Sequence, residues 1–277
     1  MFQKPPQLPK IAKLFARAAF SAILAVGLCG CQTSGLSDIT GSIGSVGEKT
    51  DPGRSADPRR DLATYRERHR LNPKDVEAAL QYGKALRATG QKSQAVAVLE
   101  QASIANPGNP QLLAGYGRAL ADNGNFQQAF DVLSRAHDPE DPDWRILSAQ
   151  GAVLDQLDRH DEARQYYASA LKIAPEAPSV LSNLGLSYLL SNELPKAEET
   201  LRRAHGKAEQ DPRIRTNLAV AVGLQGRVAE AENIVKAGLP EDQAATNVAY
   251  LKRLLSRKES AQASADKRLA KGAGRSD

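Results

Sequence analysis

With 277 residues, 41% of them hydrophobic and 25% charged, the chain has the composition of a globular protein, not of a fibrous or low-complexity one. Its formal charge of +5 suggests nucleic acid, yet four of its bases (Lys4, Lys10, Lys13 and Arg17) fall in the first 30 residues, which carry no acid. The other 33 bases face 32 acids, so the body lacks the basic stripe that phosphate binding needs, and nucleic acid is excluded as a partner class.

Residues 1–30 read as a targeting segment outside the fold. Basic residues precede an apolar run from Ala18 to Leu28, far shorter than the roughly 20 residues of a membrane span and suited to a secretory signal. The run ends in Leu28-Cys29-Gly30-Cys31. This resembles the bacterial lipobox, with an aliphatic residue at −3, a small one at −1 and then the cysteine that becomes acylated. Cys31 fits that place; Cys29 would put the bulky Leu28 at −1. A Cys-x-Cys pair is poorly spaced for a disulfide, and there is no further cysteine to complete a metal site. Two kinds of acyl chain on Cys31 suffice for stable membrane attachment. Gln32 stands where an Asp would retain such a protein in the inner membrane. By resemblance to known lipoproteins, the expected address is the periplasmic face of the outer membrane.

Residues 31–60 are rich in Gly, Ser, Thr, Asp and Pro, without period or sufficient apolar content to fold. They read as a flexible tether with a reach of roughly 30 Å. A folded domain over 61–256 follows, opening with a short helix over 61–71 in which Leu62 and Tyr65 are available for packing. Asn72-Pro73 ends that helix.

Five stretches then share one pattern at a spacing of 34 residues: 76–109, 110–143, 144–177, 178–211 and 212–245. Position 8 is Gly83, Gly117, Gly151, Gly185 and Ala219; position 20 is Ala95, Ala129, Ala163, Ala197 and Ala231. A larger residue recurs at position 24 (Leu99, Leu133, Tyr167, Leu201, Val235) and a small one at 27 (Ala102, Ala136, Ala170, Ala204, Gly238). Position 15 holds Gly90, Gly124, Asp158, Asn192 and Gly226, types that tolerate the left-handed backbone ending a helix. The pattern predicts two helices per unit, with small residues at 8, 20 and 27 letting backbones meet and position 24 filling the gap. It resembles the tetratricopeptide repeat (TPR), which implies an all-α, right-handed solenoid of helix–turn–helix units. The exit of the second unit, His137-Asp138-Pro139-Glu140-Asp141-Pro142, carries two prolines and predicts a local irregularity. After Pro240, Val248, Leu251, Leu254 and Leu255 fall at helical spacing and predict a terminal helix over the exposed apolar end. Residues 257–277 read as a disordered tail.

No catalytic constellation emerges, and the expectation is a non-enzyme with no cofactor, no metal and no small-molecule substrate. His69, His137, His160 and His205 fall near predicted helix ends, without metal-ligand spacing. The helical glycines serve packing and cannot cradle a phosphate. Tyr166-Tyr167 reads as a core residue beside a solvated neighbour. What remains is a groove. In TPR proteins, helix A positions 2, 5, 6, 9, 12 and 13 tend to face the concave surface. Carried onto this chain, Lys84, Arg87 and Arg118 make its first part basic, while Leu186, Leu189, Leu190, Val220 and Leu224 make its last part apolar. Asn183 and Asn217, both at position 6, are placed to bond an extended peptide. Lys84 and Arg118 are expected to be exposed.

Lipobox, tether and one short array together resemble the TPR lipoproteins of tight-adherence (Flp) pilus assembly, the TadD family. That resemblance implies an outer-membrane lipoprotein acting as a pilotin-like factor for a secretin, its groove capturing a secretin segment while Cys31 anchors both to the membrane. The alternatives are a scaffold of another envelope machine, such as a type IV pilus pilotin or a cell-wall enzyme adaptor, and a chaperone of unfolded clients.

Overall fold

The computed structural model describes residues 58–253, 255 and 256. The targeting segment, Cys31, the tether up to residue 57, Leu254 and the tail lie outside them. Among the described residues there are twelve helices and no strand. They are α1 (Pro58–Leu71), α2 (Val76–Ala88), α3 (Lys92–Ala105), α4 (Pro110–Asp122), α5 (Phe126–Ala136) and α6 (Trp144–Gln156), then α7 (His160–Ile173), α8 (Pro178–Leu190), α9 (Leu194–Lys207), α10 (Pro212–Gly223) and α11 (Val228–Lys236). The twelfth, α12, spans 241–253 and resumes at 255 and 256. No helix among these residues is long and apolar enough to cross a membrane.

Each even-numbered helix from α2 to α10 is the first of a pair. It packs on its own partner, on the second helix of the unit before and on the first helix of neighbouring units. Four of the five starts are capped by a short polar side chain at position 34 of the preceding unit. Asp75 accepts from the amides of Glu77 and Ala78, Asn109 from Leu112, Asp143 from Arg145 and Asp211 from Arg213. Each first helix ends alike. The residue at position 15 takes a left-handed backbone, with φ between 60° at Asn192 and 88° at Gly124. The next amide then reaches back to a carbonyl five residues earlier, as from Gln91 to Leu86 at 2.8 Å and from Glu193 to Tyr188 at 2.8 Å. This closed turn sends the chain back along its own helix.

The tightest fit lies inside each pair. A Cβ placed on Gly83, Gly117, Gly151 or Gly185 would sit 2.5–2.7 Å from the side chain at position 24: Leu99, Leu133, Tyr167 or Leu201 respectively. In the fifth unit the small partner is Ala219 and the large one shrinks to Val235, so the sum of the two is held. All five alanines at position 20 are fully buried.

Three features depart from expectation. Helix α1 begins at Pro58, three residues earlier than expected, and occupies positions 17–30 of the 34-residue register, where α3 lies in the first unit. It is the second half of a preceding unit, with Leu62 buried and Tyr65 against the same core. Helix α5 stops at Ala136 after 11 residues, against 14 in α3, α7 and α9; the proline-rich exit cannot continue it. In the fifth unit α11 ends at Lys236, so Gly238 lies beyond it with a φ of 71° and open space around it. Its smallness serves a turn, not the helix contact expected at position 27. That early stop lets α12 begin at 241 and lay Leu251 and Leu255 over the last apolar layer, Leu255 against Gly223.

Gly185→Ala should destabilise the fold by about 1–3 kcal/mol, despite the roughly 1 kcal/mol of helix propensity that alanine adds. Adding Leu201→Val should restore part of the loss. Urea melts of both single variants and the double variant check this, and strictly additive effects would refute the contact.

Candidate functional site

The helix pairs bring positions 2, 5, 6 and 9 of successive first helices onto one surface. At the first two units this surface opens into a cavity of about 680 Å³. Its floor comes from α2 and α4, with Leu80, Lys84, Arg87, Ala114, Gly115 and Arg118; its far wall is Arg145 and Ile146 at the start of α6. Space is made at Gly115, where a Cβ would come within 2.8 Å of Leu80. The exit of the second unit closes one side with Asp138, Asp141 and Asp143.

Among the expected groove residues, Lys84 is exposed on this floor. Arg87, expected in the basic part of the groove, lines the cavity but is ion-paired. Its side chain is 9% exposed and its Nε donates to Asp122 at 2.6 Å, while Asp122 is 4% exposed. Its Nη2 is buried without a hydrogen-bond partner. Arg118, expected exposed, is half-buried; its Nη2 reaches the carbonyl of Arg145 at 3.4 Å. Burial, with Arg87 beside it, pulls the Arg118 guanidinium down to about 10. The charges of Asp143 and Asp122 act in the opposite direction on Arg118.

The apolar part of the expected groove is largely packed away. Leu186, Leu189 and Val220 are buried in one cluster with Leu218 and Leu251, Leu224 packs against that cluster, and Leu190 is half-buried. Helix α12 adds Leu251 and Leu255 to the same cluster. Asn217 is buried, and the amide of Asn183, on α8, donates to Ser148 on α6 at 3.1 Å. The acidic rim and Gly115 were missed in sequence reasoning, although the unusual run Asp138-Pro139-Glu140-Asp141-Pro142-Asp143 was the available signal.

A second polar cluster, also unexpected, ties α6, α7 and α8 together. The buried Asp155 carboxylate accepts from Tyr167 and Ser187, each at 2.8 Å, and lies 2.8 Å from Nδ1 of His160. Nε2 of His160 faces Asp158 at 2.9 Å. Burial pushes the Asp155 carboxyl above its ordinary value, against the bonds from His160, Ser187 and Tyr167. Tyr166, expected to be solvated, is half-buried and meets Phe130 edge-on at 5.9 Å. His137 and His205 cap or close α5 and α9, each with Nδ1 buried and without a partner. No group of three His, Cys, Asp or Glu among the described residues could hold a metal.

Family models for the tetratricopeptide repeat match residues 53–143, as two overlapping stretches, and 156–221, together more than half of the chain. The chain is a tetratricopeptide-repeat protein. Among solved structures, this TPR array is similar to the APC/C hetero-tetramer Cut9-Hcn1, at 17% identity and a TM-score of 0.59 over 72% of this chain and 40% of that one. It is also similar to TTC0263, a thermophilic TPR protein of Thermus thermophilus, at 21% identity and 0.52 over 58% of this chain and 88% of that one. Human IFIT1 aligns at 15% identity and 0.57 over 67% and 48%. The chain thus spans less than half of the Cut9-Hcn1 and IFIT1 chains, and at these identities the likeness is one of fold alone. No curated protein matches the sequence. TPR arrays are generally protein-interaction scaffolds.

Asp122→Ala strands Arg87 as a buried charge and should cost roughly 3–5 kcal/mol, whereas the exposed Lys84→Ala should cost under about 0.5 kcal/mol. Urea midpoints distinguish the two, and equal costs would refute the ion pair's role. A carboxyl whose pKa is raised by folding favours the fold when protonated, and that contribution is lost as pH rises through its raised value. The stability of the native chain relative to Asp155→Asn should therefore fall as pH is raised from about 3 to about 7. A difference that grows over this range in paired melts would overturn the assignment.

Proposed function

We propose that this chain is an outer-membrane TPR lipoprotein that acts as a protein-binding assembly factor, pilotin-like, for the secretin of a tight-adherence (Flp) pilus system. The observation that carries the binding half of this reading is the open, charged cavity on the first two units, set on the helix positions that project from successive layers onto one side. A segment lying there meets Lys84 and Arg118 on the floor and a rim of aspartates. The address rests on the sequence: a short apolar run, Gly30 before Cys31, and Gln32 after it. In this reading the acyl chains of Cys31 supply attachment and residues 32–57 supply reach. The burial of Leu186, Leu189 and Val220 speaks against a holdase for apolar clients, which needs such residues open.

Crosslinking of the native chain in envelopes, followed by capture and mass spectrometry, should recover a secretin as the dominant partner. Lys84→Glu with Arg118→Glu should deplete it. Recovery of cell-wall enzymes, of another pilus machine's components or of many unrelated clients overturns the pilus reading. Cys31→Ala should abolish outer-membrane fractionation, and its persistence there would refute lipidation.

A further inference from the structure

The cavity is lined by charges of both signs, Lys84, Arg87, Arg118 and Arg145 with Glu77, Asp138, Asp141 and Asp143, and two groups of them matter here. At one, Arg118 lies half-buried with a single long contact to a backbone carbonyl, and Arg87 stands behind it with an unpartnered, buried Nη2. Exposed Lys84 borders them. A guanidinium in low dielectric without a full set of acceptors favours a carboxylate, which can take two of its N–H groups at once. At the other pole, the exit of the second unit turns three aspartates onto the same space. Asp143 is engaged, since it caps α6 through the Arg145 amide at 2.7 Å and lies 3.6 Å from the Arg145 side chain. Asp138 accepts the Glu140 amide at 3.0 Å, but its carboxylate stays exposed, as does Asp141. The loop exists because α5 ends three residues early, so the acidic pole is specific to this unit.

We propose that this cavity selects a protein segment carrying a carboxylate side chain beside a cationic one, the carboxylate seated on Arg118 and the cation held by Asp138 and Asp141. A segment of one sign satisfies one pole and meets repulsion at the other. This rests on the cavity being the binding surface, and it is independent of whether the bound protein is a secretin.

The test uses the full chain and three fluorescent peptides of equal length in a Gly-Ser background: one with adjacent Asp and Lys, one with Asp alone, one with Lys alone. Fluorescence anisotropy should show the mixed peptide binding about tenfold or more tighter than either single-sign peptide at moderate salt. Arg118→Gln should remove the advantage of the mixed peptide over the Lys peptide. The pair Asp138→Asn and Asp141→Asn should remove its advantage over the Asp peptide. Because Arg118 is half-buried, its melting temperature is measured alongside, and exposed Lys84→Gln gives a second reading of the same pole. Equal binding of all three peptides, or binding unmoved by variants that remain folded, overturns the inference. A secretin recovered from envelopes and retained by Arg118→Gln would sink this inference while leaving the pilus reading standing. Charge-selective peptide binding without a secretin would do the reverse.

Discussion

Everything in this array depends on the approach of two backbones inside each helix pair. The glycine at position 8 leaves room for the tip of the residue at position 24, and none of these gaps would admit a Cβ without displacement. Since the position-24 side chains are themselves fully buried or nearly so, displacement has nowhere to go. The fixed separation sets the tilt of each pair, the tilt sets where the next pair lands, and small errors would add along the stack. The fifth unit shows that the constraint is on summed volume, because Ala219 is matched by Val235 where the others pair glycine with a leucine or tyrosine.

The repeat was legible because it is a local, periodic constraint. Position 8 and position 24 are 16 residues apart in the chain, and every unit repeats the evidence. The left-handed turns were equally legible, down to Asp158 and Asn192 standing where the others have glycine. The site was less so. Arg87 and Asp122 are 35 residues apart, and only the stacking of α2 on α4 makes them partners. Residue type at position 12 shows a cation and nothing of what neutralises it. The apolar side chains of the fourth and fifth units were expected in a groove because a position on a helix does not show how closely the neighbouring helices pack over it. Asp155 was missed for the same reason: its three partners come from two other helices, the most distant 32 residues away.

The two ends of the array thus differ in character. Toward α1 the surface is open, ionic and shaped by a loop peculiar to one unit. Toward α12 the equivalent positions are dry and packed. Between them the Asp155 cluster joins three helices through one buried carboxylate that accepts hydrogen bonds from Tyr167 and Ser187. A buried polar group of this sort tolerates few arrangements of its neighbours, so the middle of the stack is where the geometry is most narrowly specified.

The early end of α11 has a consequence for the modularity of the chain. From α2 to α10 the first helices start at 34-residue steps, so a duplicated 34-residue unit inserted among them would keep the register. Helix α12 starts five residues ahead of that register and meets Gly223 through Leu255 in a contact no earlier junction uses. A unit appended there would have no repeating face to stack upon. Among the described residues the 34-residue step is thus kept up to α10 and broken at α12.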